Sequence, residues 1–214
     1  MTEQDRDIIF DKATELSEKL NNHCSLLLEM LDNIDDLRPL VRRSIALEDE
    51  ADHIFHEFTY ELNKIEMDEE LRIRVFHMVR HVENCIDLLD GLAQSFIRYN
   101  VTEVTDGLSA SVNSIASAAK KEINLVNELR NGSDDNAIIS ATREFDKFKG
   151  DYQKLYDILI RNMFMNNNDA IDVMRWKTIY DEIMDIFSAF EVMADDCYKF
   201  VVFTRPQLAS EETT

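Results

Sequence analysis

The chain has 214 residues, 45% of them hydrophobic, enough for a sizeable core in one or two domains. Its 23 Lys and Arg stand against 43 Asp and Glu, a formal charge of −20 that repels nucleic-acid phosphates and anionic lipid and favours cations or basic protein surfaces. With only 4 Gly and 2 Pro there are too few turn formers for a sheet protein, so an all-α fold of long helices and short connections is expected.

Six helices are predicted in chain order. The first runs from about Asp5 to Asn33, with Ile8, Ile9, Ala13, Leu16, Leu20, Leu27 and Leu31 at helical spacing. Asp35 or Asp36 caps the second, which tolerates Pro39 in its first turn and continues through Leu47, Ala51, Ile54, Phe58 and Leu62. Asp68 caps the third, which carries Leu71, Val75, Val79, Val82, Ile86, Leu89 and Phe96 and stops near Asn100. The fourth begins at Thr102 or Asp106 and ends at Asn131-Gly132; its Ser- and Ala-rich middle, Leu108 to Lys121, lets a neighbouring helix approach closely. Ser133 or Asp134 caps a fifth reaching about Phe164, Asn166 to Asn168 form a turn, and the sixth spans Asp169 to about Phe203 ahead of a frayed tail. The order suggests two three-helix units, 1–100 and 101–214, packed as one elongated body.

Cys24, Cys85 and Cys197 are widely spaced, odd in number and set on apolar stripes, as reduced core thiols would be. The acidic start lacks a secretory pattern, and no stretch approaches the ~20 apolar residues of a bilayer span. A cytoplasmic protein without direct membrane insertion is expected.

Two acid pairs at helical spacing stand out, Glu48/Asp52 and Glu83/Asp87, on consecutive predicted helices. Acids at i and i+4 share a face and repel. On a helical wheel Glu48 and Asp52 fall at the margin of the second helix's apolar stripe, as Glu83 and Asp90 do on the third, with Asp87 further out. If they converge they offer hard oxygen ligands suited to Mg, Ca, Mn or Fe, less obviously to Zn. Roughly eight such pairs arise by chance in so acidic a chain, and a solvated face is the competing reading.

Glu50-x-x-His53 is a single Glu-x-x-His element lying off the apolar stripe, which argues against a di-iron four-helix core. His77 and His81 share a face nearly opposite Glu83, and His56 reads as an exposed residue one turn after Asp52. No phosphate loop, dinucleotide fingerprint, nucleophile elbow or H-E-x-x-H motif occurs, so no enzymatic activity is expected. Met163-Phe164-Met165 and Trp176 read as core or helix-end packing rather than as a cofactor box.

Three segments carry a resemblance. Ile45-Ala-Leu-Glu-Asp-Glu-Ala-Asp-His-Ile-Phe-His-Glu57, followed by Leu62-Asn63, resembles the second helix of the PhoU-like phosphate-transport regulators, in the branch called Pit accessory proteins. Val82-Glu-Asn-Cys-Ile-Asp-Leu-Leu-Asp-Gly91 is similar to that family's third helix. Ile171 to Glu182, with Trp176-Lys177-Thr178-Ile179-Tyr180, is similar to its Trp-Lys-x-Ile-Tyr signature, continued by Val192 to Val202. The resemblance implies two tandem three-helix bundles and a non-enzymatic regulator of inorganic phosphate transport. It implies a Pit-type transporter as partner, met at the inner face of the membrane. It also implies a surface cluster of iron or zinc held by Glu48, Asp52, Glu83 and Asp87, with Asp90; Mn and Mg stay open as alternatives.

The second half departs from the family's pattern. Its expected acids align with Lys149 and Gln153 on the fifth helix and with Met184 and Ser188 on the sixth, while the wheel puts Asp181 and Asp185 on the outer face. At most one cluster is therefore expected, in the first half. The competing class is a metal-free helical scaffold or signalling interaction protein, with homo-oligomerisation open in either case.

Overall fold

Thr2 closes the first helix with a reciprocal cap. Its hydroxyl accepts from the Asp5 N–H at 3.2 Å, and the Asp5 carboxylate accepts from the Thr2 N–H at 2.7 Å, which satisfies two amides that the helix leaves unpaired. The computed structural model describes residues 2–132, 135–166 and 169–204. In chain order it contains α1 (Glu3–Asp32), a 3-10 turn (Ile34–Asp36), α2 (Leu37–Leu62), α3 (Glu69–Arg98), α4 (Asp106–Asn131), α5 (Asp135–Asn166) and α6 (Ala170–Thr204). The protein is all-helical, and no strand occurs among the described residues.

Most boundaries follow from local chemistry. Asp68 accepts from the amides of Glu70 and Leu71 to start α3. Thr105 accepts from Leu108 N–H at 3.1 Å, which fixes the start of α4 at Asp106 rather than Thr102. Gly132 ends α4 at φ 67°, a left-handed conformation that glycine adopts without a Cβ penalty. Asp36 makes no side-chain cap; the chain enters α2 through the 3-10 turn instead. The expected cap residues Ser133 and Asp134, the turn residues Asn167 and Asn168, and the tail from residue 205 lie outside the described residues.

The helices stack in four layers. α2 packs across α1 and α3, α5 packs across α4 and α6, and the two inner pairs meet through α1 against α4 and α3 against α6. One continuous buried cluster runs through all of them, including Phe10, Phe58, Phe96, Phe145, Phe187 and Phe190. Each such ring contributes about 1.5–3 kcal/mol by leaving water. One face of small residues in α4 lies inside, with Ser111, Ala116, Ala118 and Ala119 buried, while Ala110 and Ser117 are exposed. Across the α1–α4 contact, Asn21 donates to the Ala119 carbonyl at 3.1 Å and Arg6 donates to the carbonyls of Leu129 and Arg130.

Two expectations are corrected. Met163 packs on the core, but Phe164 and Met165 at the end of α5 are 62% and 75% exposed. Successive helical residues turn by ~100°, so three in a row cannot all face the covered side of an outer helix. Asp185 is exposed as expected, but Asp181, with its side chain 42% exposed, faces α5 as well as solvent: its Oδ1 accepts the Tyr156 hydroxyl of α5 at 2.6 Å, and Lys177 pairs with its other oxygen. α6 is covered from several directions, so a single apolar centre does not define its outside. Trp176 is buried and stacks on Tyr180, as expected of a packing residue.

No helix among the described residues is long and apolar enough to cross a membrane.

Candidate metal centre

α2 and α3 lie side by side, and Ala51, only 1% exposed, gives α2 a small residue where it packs on the core. Beside it, Glu48 and Asp52 project from successive turns of α2 toward Asp87 of α3. One carboxylate oxygen from each of the three lies within 4.8 Å of the other two, and all three side chains are half-buried. No Lys or Arg forms an ion pair with any of them among the described residues. Three like charges this close repel by about 1–3 kcal/mol per pair, depending on how much solvent screens them. Burial, then the charges of Asp52 and Asp87, raises the Glu48 carboxyl above its ordinary range; burial, then Asp52, raises Asp87.

Glu83 sits one turn before Asp87 and goes deeper than its wheel position suggests, at 2% exposed. Arg80, whose guanidinium lies 5.2 Å from the centre of the Phe55 ring, donates to Glu83 Oε1 at 2.7 Å. Oε2 of the same carboxyl is shut off from solvent and has no hydrogen-bond partner. Burial, then the Asp87 charge, pushes Glu83 up to about 7, with Asp52 adding to the rise and Arg80 opposing it. A buried acceptor without a donor, beside three converging carboxylates, can be satisfied either by a proton shared with Asp52 or by a cation. The donors are all hard oxygens, a set that fits Mg, Mn or Fe and that Zn also accepts.

Asp90 does not join the three converging oxygens. Its Oδ1 accepts from Ser44 at 2.6 Å and its Oδ2 from Gln94 at 2.5 Å. Ser44 has one proton and gives it to Asp90, so the 2.6 Å contact between Ser44 Oγ and His23 Nε2 is donated by the imidazole. That leaves His23 Nδ1 as a buried acceptor without a partner, and burial lowers the His23 pKa to about 4, opposed by Asp90. This polar thread ties α1, α2 and α3 together immediately behind the carboxylates.

Sequence reasoning did not single out His23, Ser44 or Glu122. Glu122 is fully buried in α4, accepts from Ser17 of α1 at 2.7 Å, and is pushed up by burial to about 8. A signal for it was present: helical spacing places it between the buried Ala119 and Leu125, three residues from each, so a charge stands on an apolar stripe. Cys24, Cys85 and Cys197 are buried free thiols, each pushed up by burial with the Glu122 charge contributing. His56 is exposed, and Glu50 and His53 are engaged with Lys19 and Glu57 at the surface.

The corresponding contact in the second half holds a direct ion pair in place of a carboxylate group. Lys149 of α5 pairs with Glu191 of α6, and further along the same two helices Tyr156 donates to Asp181. The chain matches no protein-family model and no curated protein.

Proposed function

We propose that this chain is a non-enzymatic accessory or regulatory protein of inorganic phosphate transport, of the PhoU-like kind its sequence resembles. In this reading it holds a divalent cation between α2 and α3 and binds the cytosolic side of a Pit-type transporter. The observation that carries the metal part is the unpartnered, solvent-inaccessible Glu83 Oε2 beside the converging oxygens of Glu48, Asp52 and Asp87. Those four residues would hold the ion, which supplies the positive charge that the carboxylates lack. Asp90, already bonded to Ser44 and Gln94, acts behind them as a brace. Iron or zinc follows from the resemblance, and manganese or magnesium from the all-oxygen donors.

The non-enzymatic reading is supported by the burial of the serine nearest the carboxylates and of all three thiols. Ser44 is fully buried and already donates its proton to Asp90, and the three thiols are inside the core. The partner assignment rests on the Ile45–Glu57, Val82–Gly91 and Ile171–Glu182 resemblance and on the charge of −20, which complements basic cytosolic loops.

Proteoliposomes carrying a Pit-type transporter, with the chain added to the cytosolic face, test this reading. The chain should sediment with the vesicles, change the initial rate of radiolabelled phosphate uptake, and lose both effects as salt rises. Equal uptake with and without the chain, and no sedimentation at low salt, would reject it.

A further inference from the structure

α3 carries a second group of metal-ligating side chains on the side turned away from α2. His77 and His81 stand one turn apart, their rings 5.9 Å between centroids and 21° from parallel. α6 packs along this side of α3 and brings Asp196 to them. One ligand atom from each of the three residues lies within 4.8 Å of the other two.

His81 Nδ1 lies 2.7 Å from Asp196 Oδ2, the distance of an ion pair, and is shut off from solvent with no other partner. A cation can take the place of the proton that such a pair shares, with the imidazole nitrogen and the carboxylate oxygen both as ligands. Lys199 pairs with the other oxygen of Asp196, Oδ1, at 2.8 Å, which orients the carboxylate and leaves Oδ2 toward the histidines. His77 is exposed, so it can change rotamer and a solvent ligand can reach the group.

We propose that His77, His81 and Asp196 bind one borderline divalent cation, zinc or a close analogue, as a bridge between α3 and α6. Two imidazole nitrogens and one carboxylate are a zinc donor set, with metal–ligand distances of ~2.0–2.2 Å. Tetrahedral ligands at that distance are ~3.3 Å apart, inside the present spread of separations, so small side-chain adjustments complete the set. Nitrogen donors separate this site chemically from the all-oxygen group on the other side of α3. Because α3 ends the first run of three helices and α6 the second, the ion ties the two halves of the chain together. The proposal stands whether or not the chain serves phosphate transport.

Cobalt(II) is the probe, added to the full chain purified without a histidine tag. The wild type and a variant lacking the other group, E48Q/D52N/D87N, should both develop the visible absorption of nitrogen-ligated, low-coordinate cobalt, and zinc should bleach it. H77A, at an exposed position that leaves the core intact, should weaken zinc competition roughly tenfold or more, and H77A/H81A should abolish the band while keeping the helical circular dichroism. In the wild type zinc should also raise Tm, and in H77A/H81A it should not. Absence of the band in the wild type, or its persistence unchanged in H77A/H81A, overturns the proposal.

Discussion

Arg80 holds only half of Glu83. Its guanidinium donates to Oε1 at 2.7 Å, while Oε2, on the same buried carboxyl, has no donor at all. The arginine therefore anchors the side chain without satisfying it, and the unsatisfied oxygen adjoins the carboxylates of Asp52 and Asp87. A neutral carboxylic acid or a bound cation resolves that arrangement, and the two alternatives respond oppositely to pH.

In metal-free protein the proton wins at low pH. Glu83 titrates near 7 when folded against an ordinary value of 4.5, so between those values the native state keeps a proton that the unfolded chain has released. Its contribution is fully present below about 4.5 and is lost as pH rises through about 7, a change on the order of 3 kcal/mol. Urea unfolding of chelator-treated protein should show stability falling across this window, and E83Q should flatten that part of the slope. An unchanged slope in E83Q would show that Glu83 is not responsible.

A cation should reverse the trend, because metal ligation requires the ionised carboxylates that high pH supplies. Adding Mn or Zn above pH ~7 should raise Tm, with a stabilisation of about 2.7 kcal/mol at a hundredfold excess over Kd. E48Q/D87N should remove the manganese response, since oxygen ligands alone hold that ion in this account. Differential scanning calorimetry at fixed protein concentration reads both effects.

Ser44→Ala should destabilise the protein without emptying the centre. It leaves Asp90 Oδ1 and the His23 Nε2 donor buried without partners, at about 1–3 kcal/mol for each unsatisfied group. Denaturant unfolding should report the loss, while metal content stays at the wild-type level. A loss of metal without a loss of stability would instead make Asp90 a ligand.

Glu122→Gln tests the buried acid of α4. With a folded value of about 8, Glu122 is neutral at moderate pH and becomes a buried charge above it. The variant should match the wild type near pH ~6 and exceed it by about 1–3 kcal/mol above pH ~9. Equal stability at both pH values would mean that the carboxylate finds a partner on ionising.

The helices were legible because apolar spacing, caps and the scarcity of Gly and Pro agree along the chain. Asp68, Asp106 and Gly132 mark ends where the structure has them. Glu48 and Asp52 were legible as candidates at the margin of the α2 stripe, but their convergence with Asp87, which the wheel puts further out, was not, because it depends on how α3 lies against α2. Nor was depth. A wheel gives direction around one helix but not how far its neighbour overlaps it, so Glu83 goes to the interior and Asp90 turns to Ser44. Asp181 and His81 escaped for the same reason: their partners, Tyr156 and Asp196, come from other helices, and no single-helix pattern contains them.

Elemental analysis of tag-free wild type and E48A/E83A, after loading with iron, zinc or manganese and washing, addresses the central claim most directly. Manganese and iron should be retained by the wild type and lost from the variant, which stays helical. Equal retention of those ions by both proteins would contradict it.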